Sequence, residues 1–240
     1  MLDFAQVPKK DRIIVALDCD MSQALDLADA LQGQASWLKV GMTLYYSQGP
    51  RIVYELKEMG YKIFLDLKFH DIPHQVSGAA ASATRNGADM ITMHALGGAD
   101  MMQAAVEGAQ SAASDFGLDV PIMLGITVLT SMDSASLASC GITRSIDEQV
   151  LEMANQAMAS GLSGVVASPM EAAELRTALG QDAFIVTPGV RPAGAELGDQ
   201  HRVATPFEAF EAGASHIVIG RPITEANDPA MAFESIAQSL

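Results

Sequence analysis

The segment Asp66-Leu67-Lys68-Phe69-His70-Asp71 closes an apolar run, Ile63-Phe64-Leu65, with two carboxylates around one ammonium. In an extended chain successive side chains alternate in direction, so Asp66 and Lys68 share a face opposite Leu65, Leu67 and Phe69. Asp71 falls past the run, where alternation no longer constrains it. Such a group can be a structural ion pair. It can equally be a device that stabilises negative charge developing on a substrate and then delivers a proton to it. A lone Asp-x-Lys leaves both readings open. Asp18 and Lys39, each near the end of another apolar run, favour the second, because four or five charges gathered in one mouth can neutralise one another around a ligand.

Those runs define the elements that must position the charges. Strands are expected over 13–18, 37–41, 62–69, 90–95, 122–129, 164–168, 184–190 and 216–220, alternating with Ala-rich helical patterns. Near-continuous apolar strands alternating with helices predict a parallel sheet covered by helices. Roughly eight such units in a chain near ~250 residues predict an α/β fold, a (β/α)8 barrel forming a single domain over residues 1–240. The rival, an open doubly wound sheet, would gain support from a G-x-G-x-x-G turn after the first strand, but that strand runs into "LDCDMSQ". Helix starts are marked by "SPME", with Ser168 at the N-cap and Glu171 at N3, by "TPFE" at Thr205 to Glu208, and by Asp228.

In a barrel of this kind, function sits at the C-terminal strand ends. Read in order, these ends carry Asp18, Lys39, Asp66 with Lys68 and Asp71, then Thr130 and Ser131, Pro188 and Arg191, and Gly220 with Arg221. The loops after strands seven and eight, "TPGVRP" and "IGRP", are where such barrels often bind phosphate. Backbone N–H groups near Gly220 and the guanidinium forks of Arg191 and Arg221 suit an anion, although surface arginines at loop starts would look the same. Between them "PAGAELGDQHRVA" is long and rich in Gly and Ala, as a lid would be.

Composition narrows the function classes. With 14 Lys and Arg against 29 Asp and Glu, the net charge is −15, a poor match for nucleic acid or an anionic membrane. Any anionic ligand needs basic residues concentrated locally. No apolar run is long enough to span a membrane, and "MLDFAQVPKKDR" lacks the apolar centre of a signal peptide, so a cytoplasmic location is expected. Cys19 and Cys140 suggest no disulfide framework and are expected to be small buried side chains. The five histidines show no metal-ligand spacing, with His70 nearest the charges, and the methionines, Met101 and Met102 among them, read as core filling.

The motifs "VALD", "LKVG", "FLDLKFHDIP", "TVLTSM", "VTPGVRP", "GDQ" and "VIGRP" resemble, in order and spacing, those of the orotidine 5′-phosphate decarboxylase family. D-x-K-x-x-D is shared with a wider group of barrels, whereas its combination with Lys39, Gln200 and the two arginine loops is specific to the decarboxylases. The resemblance implies conversion of orotidine 5′-monophosphate (OMP) to uridine 5′-monophosphate (UMP) and CO2, the last step of de novo UMP synthesis, with neither metal nor organic cofactor. It implies that Lys68 stabilises and protonates the C6 carbanion, and that Asp66 and Asp71 hold it charged and fixed. It further implies that Asp18 and Lys39 bind the ribose and complete the charge array. Thr130 then lies near the pyrimidine, while Pro188, Arg191, Gln200, Gly220 and Arg221 serve the ring edge and the phosphate. Ile72 and Gln75 are carried over as substrate-binding positions. The family pattern also implies a homodimer in which Asp71 enters the neighbouring subunit's site.

One departure stands out. After "DIP" bacterial relatives commonly carry Asn-Thr, where this chain has His74 and Gln75, whose amide can bond a ligand but with a different reach. Three alternatives remain. Metal-dependent sugar-phosphate enzymes of the same group, such as 3-hexulose-6-phosphate synthase, place a metal-ligating glutamate where Lys39 stands. A silent phosphate-binding barrel would have lost Lys68 or its aspartates. Indole-glycerol-type barrels share only the phosphate loops.

Overall fold

The computed structural model describes residues 4–192 and 204–240. Eight parallel strands close into a barrel in sequence order, β8 pairing with β1. They are β1 (Ile13–Leu17), β2 (Trp37–Gly41), β3 (Lys62–Phe69), β4 (Met90–His94), β5 (Ile122–Ile126), β6 (Gly164–Val166), β7 (Phe184–Thr187) and β8 (His216–Ile219). Each begins at the residue expected from the sequence. Six end sooner: β1, β4 and β8 each by one residue, β5 at Ile126 rather than 129, β6 at Val166 rather than 168, and β7 at Thr187 rather than 190. Pro188, with no N–H to give the ladder, accounts for the last.

The helices are α1 (Met21–Ala30), α2 (Met42–Gln48), α3 (Arg51–Glu58), α4 (Pro73–Arg85), α5 (Ala99–Phe116), α6 (Ser134–Ser139), α7 (Ile146–Ala159), α8 (Ala172–Leu179), α9 (Pro206–Glu211), α10 (Arg221–Thr224) and α11 (Pro229–Gln238). Thr205 and Glu208 form the expected reciprocal cap of α9, and the Asp228 side chain accepts from Met231 N–H at the start of α11. "SPME" behaves differently. Glu171 does accept from Ser168 N–H at 2.7 Å, but Ser168 Oγ accepts from Met170 N–H. The four residues therefore close a turn, and α8 starts only at Ala172.

Alternation along the strands divides the core in two. Outward residues such as Ile13, Val15 and Leu17 pack under the helices, while Ile14, Ala16, Trp37, Phe64, Met90, Leu124, Phe184, Val186 and Val218 fill the barrel interior. Phe4 plugs the N-terminal end of that interior, its ring edge-on to Phe184 at 5.0 Å. Met101 and Met102 are core residues as expected, but Met42, Met170 and Met231 are exposed. Cys19 is only half-buried and Cys140 is exposed, which corrects the expectation of two buried thiols: α6 is short and follows the surface. Among the described residues no helix is long and apolar enough to cross a membrane.

Candidate active site

Followed from N- to C-terminus, the inward positions change character along neighbouring strands. On β2 Trp37 gives way to Lys39, on β3 Phe64 to Asp66 and then Lys68, and on β4 Met90 to Thr92. The lower layer is apolar packing, and the layer above it is a row of charge. Lys39 Nζ lies 3.0 Å from Asp18 Oδ1 and 3.8 Å from Asp66 Oδ2, and Lys68 Nζ lies 2.7 Å from the same Asp66 oxygen. The sequence Asp18, Lys39, Asp66, Lys68 is thus an alternating row of two anions and two cations. Charges so placed in a half-dry site satisfy one another.

Asp66 shows the balance. Its burial alone would push the carboxyl up. The ammoniums of Lys39 and Lys68, with hydrogen bonds from Lys68 and Thr92, outweigh burial and hold it below the usual carboxylate range. His94, one step above Thr92 on the same face, is pushed below the ordinary imidazole value by burial, then by His70 and Lys68, against the pull of Asp66. It is therefore neutral at pH 7 and leaves the carboxylate to the lysines. Its ring lies 5.2 Å from that of His70. Burial, with Asp20 and Asp18, pushes the Cys19 thiol up to about 11, so it too is uncharged at the mouth.

Backbone geometry makes room for the row. Gly41 pairs with Asp66 in the ladder, and a Cβ on it would lie 2.9 Å from Asp18 Oδ1 and 3.0 Å from Lys39 Nζ. Lys68 is the one non-glycine residue with positive φ among the described residues, at +53°. Side chains avoid this left-handed region, and holding one there costs about 1–3 kcal/mol.

The charged row forms one wall of a cavity of about 660 Å3 at the C-terminal end of the barrel, a size usual for small-molecule sites. Asp18, Lys39, Asp66, Lys68, Thr130, Ser131, Pro188, Arg191, Gly220 and Arg221 all line it. Ile126, Val166 and Val218 supply an apolar floor. The cavity therefore offers a preformed charge row at one side and two guanidiniums at another, with an apolar surface between them on which a flat ring can lie. Asp71, Ile72 and Gln75 are not part of it. All three are exposed, Asp71 and Ile72 on the turn into α4 and Gln75 in the helix's first turn, and the Asp71 carboxylate accepts from Ile72 N–H at 2.7 Å. Gln200 and most of the glycine-rich segment after Pro192 lie outside the described residues.

Sequence reasoning passed over Thr92, Gly41 and the twist at Lys68. For the first two a signal exists: one hydroxyl inside the apolar run "MITMH", and a glycine closing a strand beside a lysine. Nothing in "DLKFHD" itself announces a left-handed lysine.

Comparison with known proteins agrees with this geometry. The family model described as "Orotidine 5'-phosphate decarboxylase / HUMPS family" matches residues 11–236. An orotidine 5′-phosphate decarboxylase of Moorella thermoacetica is 48% identical over 233 residues, 96% of this chain and 92% of that protein. One from a Nostoc species is 47% identical over 232 residues, covering 96% and 97%. The crystal structure of orotidine 5′-phosphate decarboxylase from Lactobacillus acidophilus superimposes with a TM-score of 0.84 at 40% identity, covering 95% of this chain and 98% of that one. The chain belongs to the orotidine 5′-phosphate decarboxylase / HUMPS family.

Proposed function

We propose that this chain is one catalytic domain that decarboxylates OMP to UMP and CO2 without a metal. The observation that carries the reading is the position of Lys39. Its ammonium, between Asp18 and Asp66, stands where the metal-dependent sugar-phosphate members of the group have a carboxylate ligand, and a fixed cation is a poor neighbour for a second one. In the proposed reaction the bond from C6 to the carboxylate carbon breaks, CO2 leaves, and the electron pair stays on C6 in the ring plane. Lys68 stabilises that pair and transfers a proton from Nζ to C6, to be restored from solvent. A unit charge pair at ~4 Å and an effective dielectric near 20 is worth about 4 kcal/mol. One lysine is thus a large contribution but not the whole, and binding energy at the phosphate is the second source.

In this reading Arg191, Gly220, Arg221 and Gln200 take the phosphate, with Pro188 at the ring edge, Thr130 near the pyrimidine, and Asp18 and Lys39 on the ribose. The test is loss of orotate absorbance on mixing purified protein with OMP and EDTA. Turnover is expected to be unaffected by exhaustive chelation. Loss of activity that returns with Mg2+ would establish the metal-dependent reading instead.

The same proposal includes a cytoplasmic location and a two-fold dimer in which Asp71, with Ile72 and Gln75, completes the partner's site. Two observations support the dimer. The Asp71 carboxylate accepts from Ile72 N–H and does not line the cavity of its own chain. In addition Met42, Tyr46, Ile72 and Leu96, which follow the adjacent strands β2, β3 and β4, are 45%, 73%, 62% and 53% exposed, an apolar set of the kind that marks interfaces. Mixing Lys68→Ala with Asp71→Ala tests it. In a mixed dimer one site holds both defects and the other neither, so activity should return towards about a quarter of wild type in an equal mixture. Exchange of subunits without recovery would place Asp71 in its own chain's site.

A further inference from the structure

The left-handed backbone of Lys68 has an identifiable support. In the ladder between β3 and β4, Phe64 pairs with Met90 and Leu65 with Ile91, and pairing resumes only at Phe69 and Met93. Asp66, Leu67 and Lys68 therefore stand opposite the single residue Thr92. Extra residues on one strand form a bulge, which re-aims a side chain and takes backbone groups out of the ladder. The Lys68 N–H is one of these. The Thr92 side chain takes the place of the missing strand partner, its Oγ1 accepting from Lys68 N–H at 2.9 Å. The same hydroxyl donates to Asp66 Oδ1 at 3.0 Å. A threonine hydroxyl has a single proton, so once that proton goes to Asp66 only lone pairs remain to face Lys68. Thr92 is fully buried, which makes both bonds costly to lose. The other Asp66 oxygen grips Lys68 Nζ at 2.7 Å. One buried hydroxyl is thereby tied to the lysine twice, through its backbone directly and through the carboxylate that holds its ammonium.

We propose that Thr92 is a positioning residue of the reaction, its hydroxyl fixing both the bulged backbone of Lys68 and the rotamer of Asp66 so that the ammonium points at the reacting carbon. The inference rests on the decarboxylation reading above. Thr92 does not line the cavity, so its loss should act on turnover rather than on ligand affinity. A misaimed ammonium weakens an interaction made in the transition state and leaves ground-state binding intact.

The experiment compares wild type, Thr92→Val and Thr92→Ser for OMP turnover and, separately, for UMP affinity by calorimetry, with thermal unfolding of each. Valine keeps the shape and removes the hydroxyl; serine keeps the hydroxyl and removes the methyl. Thr92→Val is expected to lose at least about tenfold in kcat, with Kd for UMP changed by less than about threefold, and Thr92→Ser to stay within about threefold of wild-type kcat. The proposal is overturned if Thr92→Val keeps kcat within that margin, if kcat and UMP affinity fall together, or if Thr92→Ser is as impaired as the valine variant. Should the valine variant not fold, the serine variant still decides, because a hydroxyl that suffices must sustain turnover. A wild-type protein that does not consume OMP would sink the underlying reading, an outcome distinct from all of these.

Discussion

The two ends of the barrel interior solve opposite problems with the same eight strands. At the N-terminal end Phe4, Trp37 and Phe184 enclose His216, whose ring stacks on Phe184 at 5.7 Å and meets Trp37 edge-on at the same separation. At the C-terminal end Asp66 is enclosed by Lys39, Lys68 and Thr92. Both buried groups titrate below their ordinary values, for contrary reasons. Burial, with the nearby charges of Arg12 and Lys62, drives His216 down to about 3, so it is kept neutral. Asp66 is lowered although burial opposes it, because its charged form has partners. The lower end keeps its imidazole uncharged and packs it among aromatic rings. The upper end keeps charge, and holds a strained backbone at Lys68, to place an ammonium. Among the described non-glycine residues, left-handed backbone is thus confined to the end where the cavity opens, as expected if the strain serves chemistry rather than stability.

The largest expected effect breaks the upper end. Lys68→Ala should lower kcat for OMP by at least about a thousandfold, roughly 4 kcal/mol of barrier, while UMP still binds. Retention of more than about a tenth of wild-type kcat, under ~1.4 kcal/mol, would remove Lys68 from the role of essential acid.

The upper end was largely legible in the sequence, and the lower end was not. Asp18, Lys39 and Asp66 could be placed because strand ends are visible as apolar runs turning polar, and in a closed barrel such ends must converge. Arg191 and Arg221 followed from the loops after the last two strands. What stayed hidden depends on relations between strands. The Lys68 bulge exists only in register with Thr92, and register is not written in either segment alone. His216 carried no signal, since one histidine opening "HIVIG" looks like any strand start until Phe4, remote in sequence, folds over it. Asp71 was visible as a charge, but past the strand end alternation no longer fixes where a side chain points.

The lower end can be broken by acid. Between the ordinary value of 6.5 and about 3, the unfolded chain binds a proton that folded His216 refuses, so folding stability falls as pH falls through that window. Between pH 7 and pH 4 this amounts to about 3 kcal/mol for wild type. His216→Gln lacks the titration, and its stability by urea unfolding should decline less over the same range by about that amount, whatever its absolute value at pH 7. Asp66 adds little there. Its lowered value keeps it ionised in the folded state, and the stability it brings is lost only as pH falls below the ordinary 3.8. Equal pH slopes for wild type and His216→Gln would show that the plug does not hold a neutral imidazole.

The smallest effect sharpens the comparison most, because it reads the strain at the upper end by its sign. In a regular strand glycine is less stable than alanine by roughly 0.5–1 kcal/mol, since it loses more backbone freedom on folding. Ala16, on the regular strand β1, should obey this, and Ala16→Gly should destabilise accordingly. At residue 68 the order should reverse. Alanine there would still have its Cβ held at φ +53°, whereas glycine enters that region freely. Both substitutions remove the same ammonium, so the charge contribution cancels between Lys68→Gly and Lys68→Ala, leaving backbone preference. Lys68→Gly should therefore be the more stable of the two by about 1 kcal/mol in urea unfolding at pH 7. If Lys68→Ala proves as stable or more so, the backbone at residue 68 is not strained, and the contrast between a relaxed lower end and a strained upper end fails at its central residue.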